Sequence, residues 1–199
     1  MEASSAGHDD GIDGTRGLGH RAAMAEPDDA ALVQRARGGD DRAFTAIFER
    51  YGRMVHGVLL ARTPRSETED LVQQVFVIAF RSLGSLRDPK ALGAWLATIA
   101  RTQAADWHRR RPAEVELPVD VAGDDEDGCE AEAVLQTIRG LPIAYRETLV
   151  LRLVEGLTGP EIAARTGLTA GSVRVNLHRG MRLLRERLGP SDPRPESAS

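Results

Sequence analysis

The sequence predicts an all-α protein made of two small helical domains joined by a flexible acidic linker. Aromatic residues make up only 4% of the 199 residues, and runs that alternate apolar with polar residues, as strands do, are missing. Apolar residues instead recur at the three- and four-residue spacing that places them on one face of a helix. Glycine, proline and capping residues divide this pattern into separate helices.

Charge is distributed unevenly along the chain. The formal net charge is only −4 and the sequence pI is about 5.8, yet residues 30–111 carry +6 and residues 133–188 carry +5. Residues 1–29 carry −5, and residues 112–132 contain nine acidic side chains and no basic one. Two basic modules separated by an acidic segment are typical of nucleic-acid-binding proteins.

The predicted organisation is a disordered acidic leader, a first domain, an acidic linker, a second domain and a disordered tail, at 1–27, 28–111, 112–132, 133–188 and 189–199. The acidic segments cannot bury enough apolar surface to fold alone. No run approaches the roughly 20 apolar residues of a membrane span. The single cysteine, Cys129, excludes an internal disulfide and suits a cytoplasmic protein.

No catalytic site is expected. The five histidines are scattered, with no spacing typical of a zinc site. There is also no glycine-rich phosphate loop and no nucleophile elbow. We therefore predict a protein that is not an enzyme and that needs no metal and no cofactor.

Four helices are predicted in the first domain. The first lies near Asp28–Arg37 and ends at a Gly-Gly pair, and Asp40 caps the second. A capping box of Ser66 and Glu69 is expected to open the third, and the fourth follows Asp88-Pro89. The residues expected to face inward from the second and third helices are Phe44, Ile47, Phe48, Tyr51, Val55, Val58, Leu59, Val72, Val75, Phe76, Ala79, Phe80 and Leu83.

The second domain is predicted to contain a helix near Ala133–Arg139, a helix from Pro142 to Glu155 and then a helix-turn-helix. The inward residues of the helix from Pro142 are Leu149, Val150, Leu153 and Val154.

Local signals outline the helix-turn-helix. Thr158 and Glu161 form a capping box, Pro160 fits the first turn, Gly167 suits a left-handed C-cap, and Thr169 can cap the second helix. The apolar stripe of that helix is Val173, Leu177, Met181, Leu184 and Leu188. The residues then pointing outward are Arg174, Val175, His178, Arg179 and Arg182. This geometry predicts entry into a DNA major groove. A plain helical hairpin with a solvated basic face is the alternative.

The two modules together resemble a known family. AFTAIFERYGRMVHGV, EDLVQQVFVIAFRSL and GAWLATIARTQAADWHRRR resemble region 2 of bacterial RNA polymerase sigma factors of the extracytoplasmic-function (ECF) group. LPIAYRETLVLRLVEGLTGPEIAARTGLTAGSVRVNLHRGMRLLRERL resembles region 4. The resemblance implies a monomeric factor that binds core RNA polymerase through the β′ clamp helices and the β flap. It implies that region 2 recognises and opens the −10 element of promoter DNA and that region 4 recognises the −35 element.

The resemblance also implies three sets of site residues. Core polymerase binding falls on Asp70, Gln73, Gln74, Val77 and Arg81. Binding and melting of the −10 element falls on Arg87, Lys90, Trp95, Arg101, Thr102, Trp107, Arg109 and Arg110. Binding of the −35 element falls on Ser172, Arg174, Val175, His178, Arg179 and Arg182. Trp95 lies close to the apolar stripe and fits the core better than a stacking role, whereas Trp107 fits either role.

This chain departs from the family pattern in places. Gln74 and Thr102 stand where the family often has Glu and Asn, and Val175 and Asn176 stand where it often has Ser and Arg. The promoter sequence therefore does not follow from the family. An anti-sigma partner is typical of the family, and the acidic linker fits either a contact with the polymerase channel or a spacer.

Two other function classes remain open on the residues alone. A stand-alone helix-turn-helix regulator would dimerise and bind a palindrome. A protein-interaction module would use its arginine faces only for solvation.

Overall fold

A computed structural model describes residues 28–110 and 126–189, and these residues form eight α-helices and no strand. The first module (28–110) contains α1 (Asp29–Arg37), α2 (Asp41–Leu60), α3 (Arg65–Ser82) and α4 (Leu92–Arg110). The second module (126–189) contains α5 (Glu126–Arg139), α6 (Ile143–Leu153), α7 (Gly159–Thr166) and α8 (Ala170–Leu188). The predicted all-α class is confirmed.

The first module is built around α2, which packs against α1, α3 and α4. Asp28 and Asp40 cap α1 and α2: Asp28 Oδ1 accepts from the Ala31 amide at 2.7 Å, and Asp40 Oδ1 accepts from the Arg42 amide at 2.9 Å. The cap predicted at Asp40 is therefore confirmed. The core contains fully buried side chains from all four helices: Leu32, Val33, Ile47, Met54, Val55, Val58, Val75, Leu92, Leu96 and Ala100.

Two short 3-10 turns, Leu83–Ser85 and Pro89–Ala91, connect α3 to α4. Asp88 caps the second turn by accepting from the Lys90 amide at 3.0 Å. Arg37, at the end of α1, donates to the Leu83 carbonyl at 3.2 Å and also to the Leu86 carbonyl. This guanidinium fixes the loop that carries two cations of the predicted −10 site, Arg87 and Lys90.

The capping box predicted at Ser66 and Glu69 is wrong. The third helix begins at Arg65, its N-cap is Pro64, and no side chain caps it. Pro64 has an extended backbone (φ −59°, ψ 151°), which lets the helix start directly after the proline. In the second module α5 begins at Glu126, ahead of the start expected near Ala133.

Several residues predicted to lie inside are exposed. Phe48 is 44% exposed, and its ring packs on Phe76 with a centroid distance of 4.7 Å. Leu153 and Val154 are 46% and 47% exposed because α6 ends at Leu153 and the chain turns away. Leu188 is 48% exposed at the end of α8. The buried face of α6 instead includes Glu147 and Leu151 together with Leu149 and Val150.

The two modules pack against each other. Leu151, Leu157, Ile162 and Val173 of the second module belong to the same buried cluster as the first module's core. Leu60 and Ala61 at the end of α2 lie in the core of the second module. This close contact was not expected from the sequence, and we call it the closed arrangement.

Glycines allow the modules to come this close. A Cβ on Gly93 would lie 2.7 Å from the Arg165 carbonyl oxygen, and a Cβ on Gly167 would lie 2.8 Å from Ala94 Cβ. A Cβ on Gly57 would lie 2.7 Å from side-chain atoms of Leu151 and Glu155. Real Cβ atoms do not tolerate such distances, so any larger residue at these positions forces a shift.

Candidate nucleic-acid interface

The helix-turn-helix has the local structure that the sequence predicts. Glu161 Oε2 accepts from the Thr158 amide at 2.8 Å, and Thr158 Oγ1 accepts from the Glu161 amide at 3.4 Å, which completes the capping box. The Thr158 amide and hydroxyl both donate to Glu161 Oε2, at 2.8 and 2.7 Å, and these two hydrogen bonds hold the pKa of the Glu161 carboxyl below its usual value. Gly167 ends α7 in the left-handed region at φ +75°, and Thr169 Oγ1 accepts from the Ser172 amide at 3.1 Å to start α8.

The outer face of α8 is basic and accessible. The residues predicted to contact the −35 element are all exposed: Ser172, Arg174, Val175, His178, Arg179 and Arg182. Ser172 takes part in the N-cap, since its hydroxyl lies 2.8 Å from that of Thr169. Arg182 has an exposed ion pair with Glu186 at 3.6 Å, which solvent weakens. The buried Val173 and Leu184 anchor the opposite face. The helix can therefore present these side chains to a groove.

The outer face of α3 carries the predicted polymerase-binding set. All five residues are exposed, and Val77 is 46% exposed: Asp70, Gln73, Gln74, Val77 and Arg81. A groove of about 440 Å³ lies beside Gln73, between α2 and α3, and Phe48 and Val72 form part of its wall. Phe48, which was predicted to lie in the core, lines this groove and is exposed. Phe48 of α2 and Val77 of α3 are thus two exposed apolar side chains available to a partner.

Some of the predicted −10 residues are exposed, and others are already in contact with other parts of the protein. Those that are exposed are Arg87, Lys90, Thr102, Arg109 and Arg110. Trp95 and Trp107 are partly buried and pack against the core of the first module, and the Trp107 indole donates to Glu67 Oε2 at 3.2 Å. Core packing was expected for Trp95 and is one of the two roles considered for Trp107. Both indoles offer only part of their surface for base stacking in the closed arrangement.

Arg101 is occupied by the second module. Its guanidinium donates to Glu147 Oε1 at 2.7 Å and to Oε2 at 3.2 Å, and it also reaches the Thr166 carbonyl at 3.4 Å. Arg62 Nη2 lies 2.7 Å from the same Glu147 carboxylate, whose side chain is 4% exposed. In the closed arrangement Arg101 therefore binds the Glu147 carboxylate. It is not exposed in the way that the other cations of its predicted site are.

The end of α2 is held by arginines of the second module. Arg139 donates to the carbonyls of Leu60 at 3.4 Å and Thr63 at 3.1 Å, and Arg146 donates to Ala61 at 3.4 Å. The last carbonyls of a helix lack intrahelical partners and carry partial negative charge, so guanidinium groups stabilise them. Two basic side chains of one module thus cap a helix of the other.

A second polar contact joins α2 to the turn after α6. His56 Nδ1 lies 2.5 Å from Glu155 Oε1, and Arg53 Nε lies 3.8 Å from Glu155 Oε2. His56 therefore has a structural role, as a contact between the modules. The roles of Glu147 and Glu155 were not predicted from the sequence. Glu147 shares a helix face with the buried Leu151, and a charged residue on an apolar face indicates a buried partner.

No helix in the described ranges is both long and apolar enough to cross a membrane. Within the same ranges, no group of three or more His, Cys, Asp or Glu residues is placed to hold a metal ion.

Comparisons with known proteins assign both modules. The family model of sigma-70 region 2 matches residues 47–113, and that of sigma-70 region 4 matches residues 131–184. The chain is 35% identical over 167 residues to the RNA polymerase sigma factor CarQ of Myxococcus xanthus, covering 79% of this chain and 95% of that protein. It is 30% identical over 181 residues to the ECF RNA polymerase sigma-E factor of Haemophilus influenzae, covering 81% and 96%.

Two solved structures share the fold. CnrH, in complex with the cytosolic domain of CnrY, has a TM-score of 0.59 and 27% identity, covering 82% of this chain and 99% of that one. The sigma factor RpoE of Bartonella quintana, in complex with the anti-sigma factor NepR, has a TM-score of 0.56 and 20% identity, covering 74% and 97%. The second similarity supports the fold alone.

Proposed function

The chain belongs to the ECF group of the bacterial sigma-70 family, and we propose that its two modules recognise separate promoter elements. As a sigma factor it binds core RNA polymerase and directs promoter-specific initiation of transcription. The observation that carries this function is the presence of both regions in series, at 47–113 and 131–184. Joining two weak DNA contacts on one scaffold raises affinity through effective concentration.

The second module contacts the −35 element through the outer face of α8. Arg174 is positioned for a bidentate contact to guanine, which is worth about 1–3 kcal/mol of discrimination. Arg179 and Arg182 bind phosphates, which position the helix without specifying sequence. Val175 contacts a thymine methyl, while His178 and Ser172 complete the surface.

The first module contacts the −10 element. The exposed cations on the α3–α4 loop and at the end of α4 attract the strand: Arg87, Lys90, Arg109 and Arg110. Trp95, Trp107 and Thr102 lie on α4 among these cations and supply stacking and polar contacts. Arg101 joins them once it leaves Glu147.

The modules separate when the factor binds a promoter. The −35 and −10 elements lie about 25 base pairs apart by their positions, or roughly 85 Å at 3.4 Å per base pair. A compact body of roughly 150 residues has a radius of gyration near 15 Å and a diameter of about 40 Å. The closed arrangement is therefore too small to reach both elements. Residues 111–125 can span at most about 50 Å when fully extended, which is enough to allow separation.

The outer face of α3 binds the polymerase. Val77 and Phe48 provide apolar contacts, and Asp70, Gln73, Gln74 and Arg81 provide polar ones, a combination that suits docking of a helical partner such as the β′ clamp helices. The second module contacts the β flap. An anti-sigma partner is typical of the family, and CnrH, which is 27% identical to this chain, was solved in complex with the cytosolic domain of CnrY. We propose that this chain also binds an anti-sigma protein.

The family acts by binding and is not a class of catalysts. We propose that this chain has no catalytic activity and works in the cytoplasm as a polymerase subunit. A stand-alone dimeric regulator is not favoured, because that class does not account for a region 2 module next to region 4.

Run-off transcription with core polymerase on promoter-bearing fragments tests this function. We expect defined start sites that depend on the full chain and give less transcript with an Arg174→Ala variant, because this variant loses discrimination at one −35 base pair. Specific promoter binding by the free protein, without any association with core polymerase, would contradict the proposal.

A further inference from the structure

A basic cavity lies where the two modules meet. It has a volume of about 220 Å³, and its lining includes Arg62, Arg101 and His108 of the first module and Arg146 of the second. Glu147 is the carboxylate that neutralises part of this charge, through Arg62 and Arg101. Three guanidinium groups against one carboxylate leave an excess of two positive charges around the cavity.

One guanidinium nitrogen of Arg62, a residue that lines the cavity, makes no hydrogen bond. Arg62 Nη1 is buried and makes no hydrogen bond, whereas Arg62 Nη2 is bound to Glu147 at 2.7 Å. A buried donor without an acceptor costs about 1–3 kcal/mol, and more when the group is charged. Buried polar groups are almost always satisfied, so an acceptor in the adjoining cavity would stabilise this charged donor.

The electrostatics agree with this geometry. Burial lowers the pKa of Arg62, and the neighbouring Arg101 lowers it further against the opposing effect of Glu147. Burial also lowers the pKa of Arg146, as do the charges of Arg62 and Arg139. The positive charges therefore repel one another, and an anion between them would relieve this repulsion.

We propose that this cavity, defined by Arg62, Arg101, His108 and Arg146, binds a phosphate group. A phosphate at neutral pH carries close to two negative charges, which matches the excess charge of the cavity. Its oxygens accept from planar guanidinium groups in paired, charge-assisted hydrogen bonds. The volume suits one phosphate group, so the ligand is inorganic phosphate or the phosphate of a small metabolite.

A bound phosphate would bridge the modules. It would contact Arg62 and Arg101 on one side and Arg146 on the other, and so stabilise the closed arrangement by mass action. If the modules separate on a promoter, phosphate then opposes promoter binding. That consequence rests on the proposed function, whereas binding of phosphate to the free factor does not.

Calorimetric titration of the full-length free factor with inorganic phosphate tests the site. Chloride at equal ionic strength is the control for screening. We expect saturable binding of one phosphate per chain and a rise in the thermal unfolding midpoint that follows saturation. Loss of one charged hydrogen-bonding group should weaken binding about tenfold or more, so Arg62→Gln and Arg146→Gln are expected to bind poorly. His108→Gln should weaken binding less.

Arg42→Gln is the matched control, because Arg42 is exposed at the start of α2, outside the cavity. It should bind phosphate like the parent chain. Circular dichroism shows whether each variant is folded. If an arginine variant does not fold, the binding measurement with His108→Gln takes its place. Equal effects of phosphate and chloride, or equal binding by Arg42→Gln and Arg146→Gln, would overturn the site.

A competition experiment distinguishes two possible sources of the phosphate group, a small molecule and the DNA backbone. If the ligand is a small molecule, a short DNA duplex should leave phosphate binding to the closed free factor unchanged. Displacement of phosphate from the parent chain by the duplex would instead assign the cavity to the DNA backbone and contradict a small-molecule site.

Discussion

Glu147 of α6 binds Arg101 of α4 through both carboxylate oxygens, at 2.7 and 3.2 Å. The same carboxylate also forms an ion pair with Arg62, so one acidic side chain of the second module binds two arginines of the first. Because Arg101 is also a predicted −10 contact, its ion pair with Glu147 and its use on DNA exclude each other. If Arg101 has the proposed −10 role, the closed arrangement competes with promoter binding through this one side chain.

Replacing Glu147 with Gln should weaken the contact between the modules. Removing one partner of a buried ion pair leaves charge uncompensated, so we expect the free energy of unfolding to fall by about 2–4 kcal/mol. Chemical denaturation measures this change. Glu186→Gln removes an exposed ion pair on α8 and should change the free energy by less than about 1 kcal/mol. Equal effects of the two substitutions would contradict the role of Glu147.

Gly93→Ala should open the closed arrangement. The new Cβ would lie 2.7 Å from the Arg165 carbonyl oxygen of the second module. A clash worth about 1–3 kcal/mol lowers the ratio of closed to open molecules roughly 5- to 150-fold. Small-angle scattering should show a larger radius of gyration. Gly84→Ala is the control, since no atom lies within 4 Å of its Cβ position. An unchanged radius for Gly93→Ala would show that the close approach of Gly93 does not maintain the closed arrangement.

Local sequence signals predicted the helices well, and their limits have physical causes. Thr158, Gly167 and Thr169 have the predicted roles because caps depend on neighbouring residues only. Phe48 and Leu153 are exposed because helical spacing identifies an apolar face without showing what covers it. The contact between modules depends on residues far apart in sequence, and no local pattern contains it.

The two kinds of arginine on α8 should behave differently on DNA. Arg174→Ala should reduce discrimination at one base pair by about 1–3 kcal/mol. Arg182→Ala should weaken binding equally for all sequences and reduce the salt slope by about one. Promoter binding by holoenzyme, measured over a range of salt and with single-base variants, checks both. Loss of discrimination in Arg182→Ala alone would reverse these assignments.

The capping box should make stability depend on pH. The pKa of Glu161 is lowered in the folded state by hydrogen bonds from the Thr158 amide and hydroxyl. Its contribution is therefore complete above its ordinary pKa of 4.5 and is lost as pH falls through the lowered value. Glu161→Gln should lower the thermal midpoint at neutral pH and converge with the parent chain in acid. A difference that persists at low pH would contradict this origin.

Only part of the candidate DNA-binding site was predictable from the sequence, because one of its contacts joins residues that are far apart along the chain. The outward set on α8 follows from helical geometry, and all its members are exposed. Arg101 also belongs to an outward set, but its partner Glu147 lies 46 residues away. A charged residue on the same face as the buried Leu151 is a signal that could have identified Glu147, but not its partner.

The distance between the modules tests the central claim most directly. Cysteines introduced at the exposed positions Thr98 of α4 and Arg185 of α8, with Cys129→Ser, allow fluorescent labelling and energy transfer. Free factor should give a short distance, within the roughly 40 Å of a compact body. The promoter complex with core polymerase should give a distance longer by tens of ångströms, together with run-off transcription. An unchanged short distance in a transcribing complex would contradict the separation of the modules.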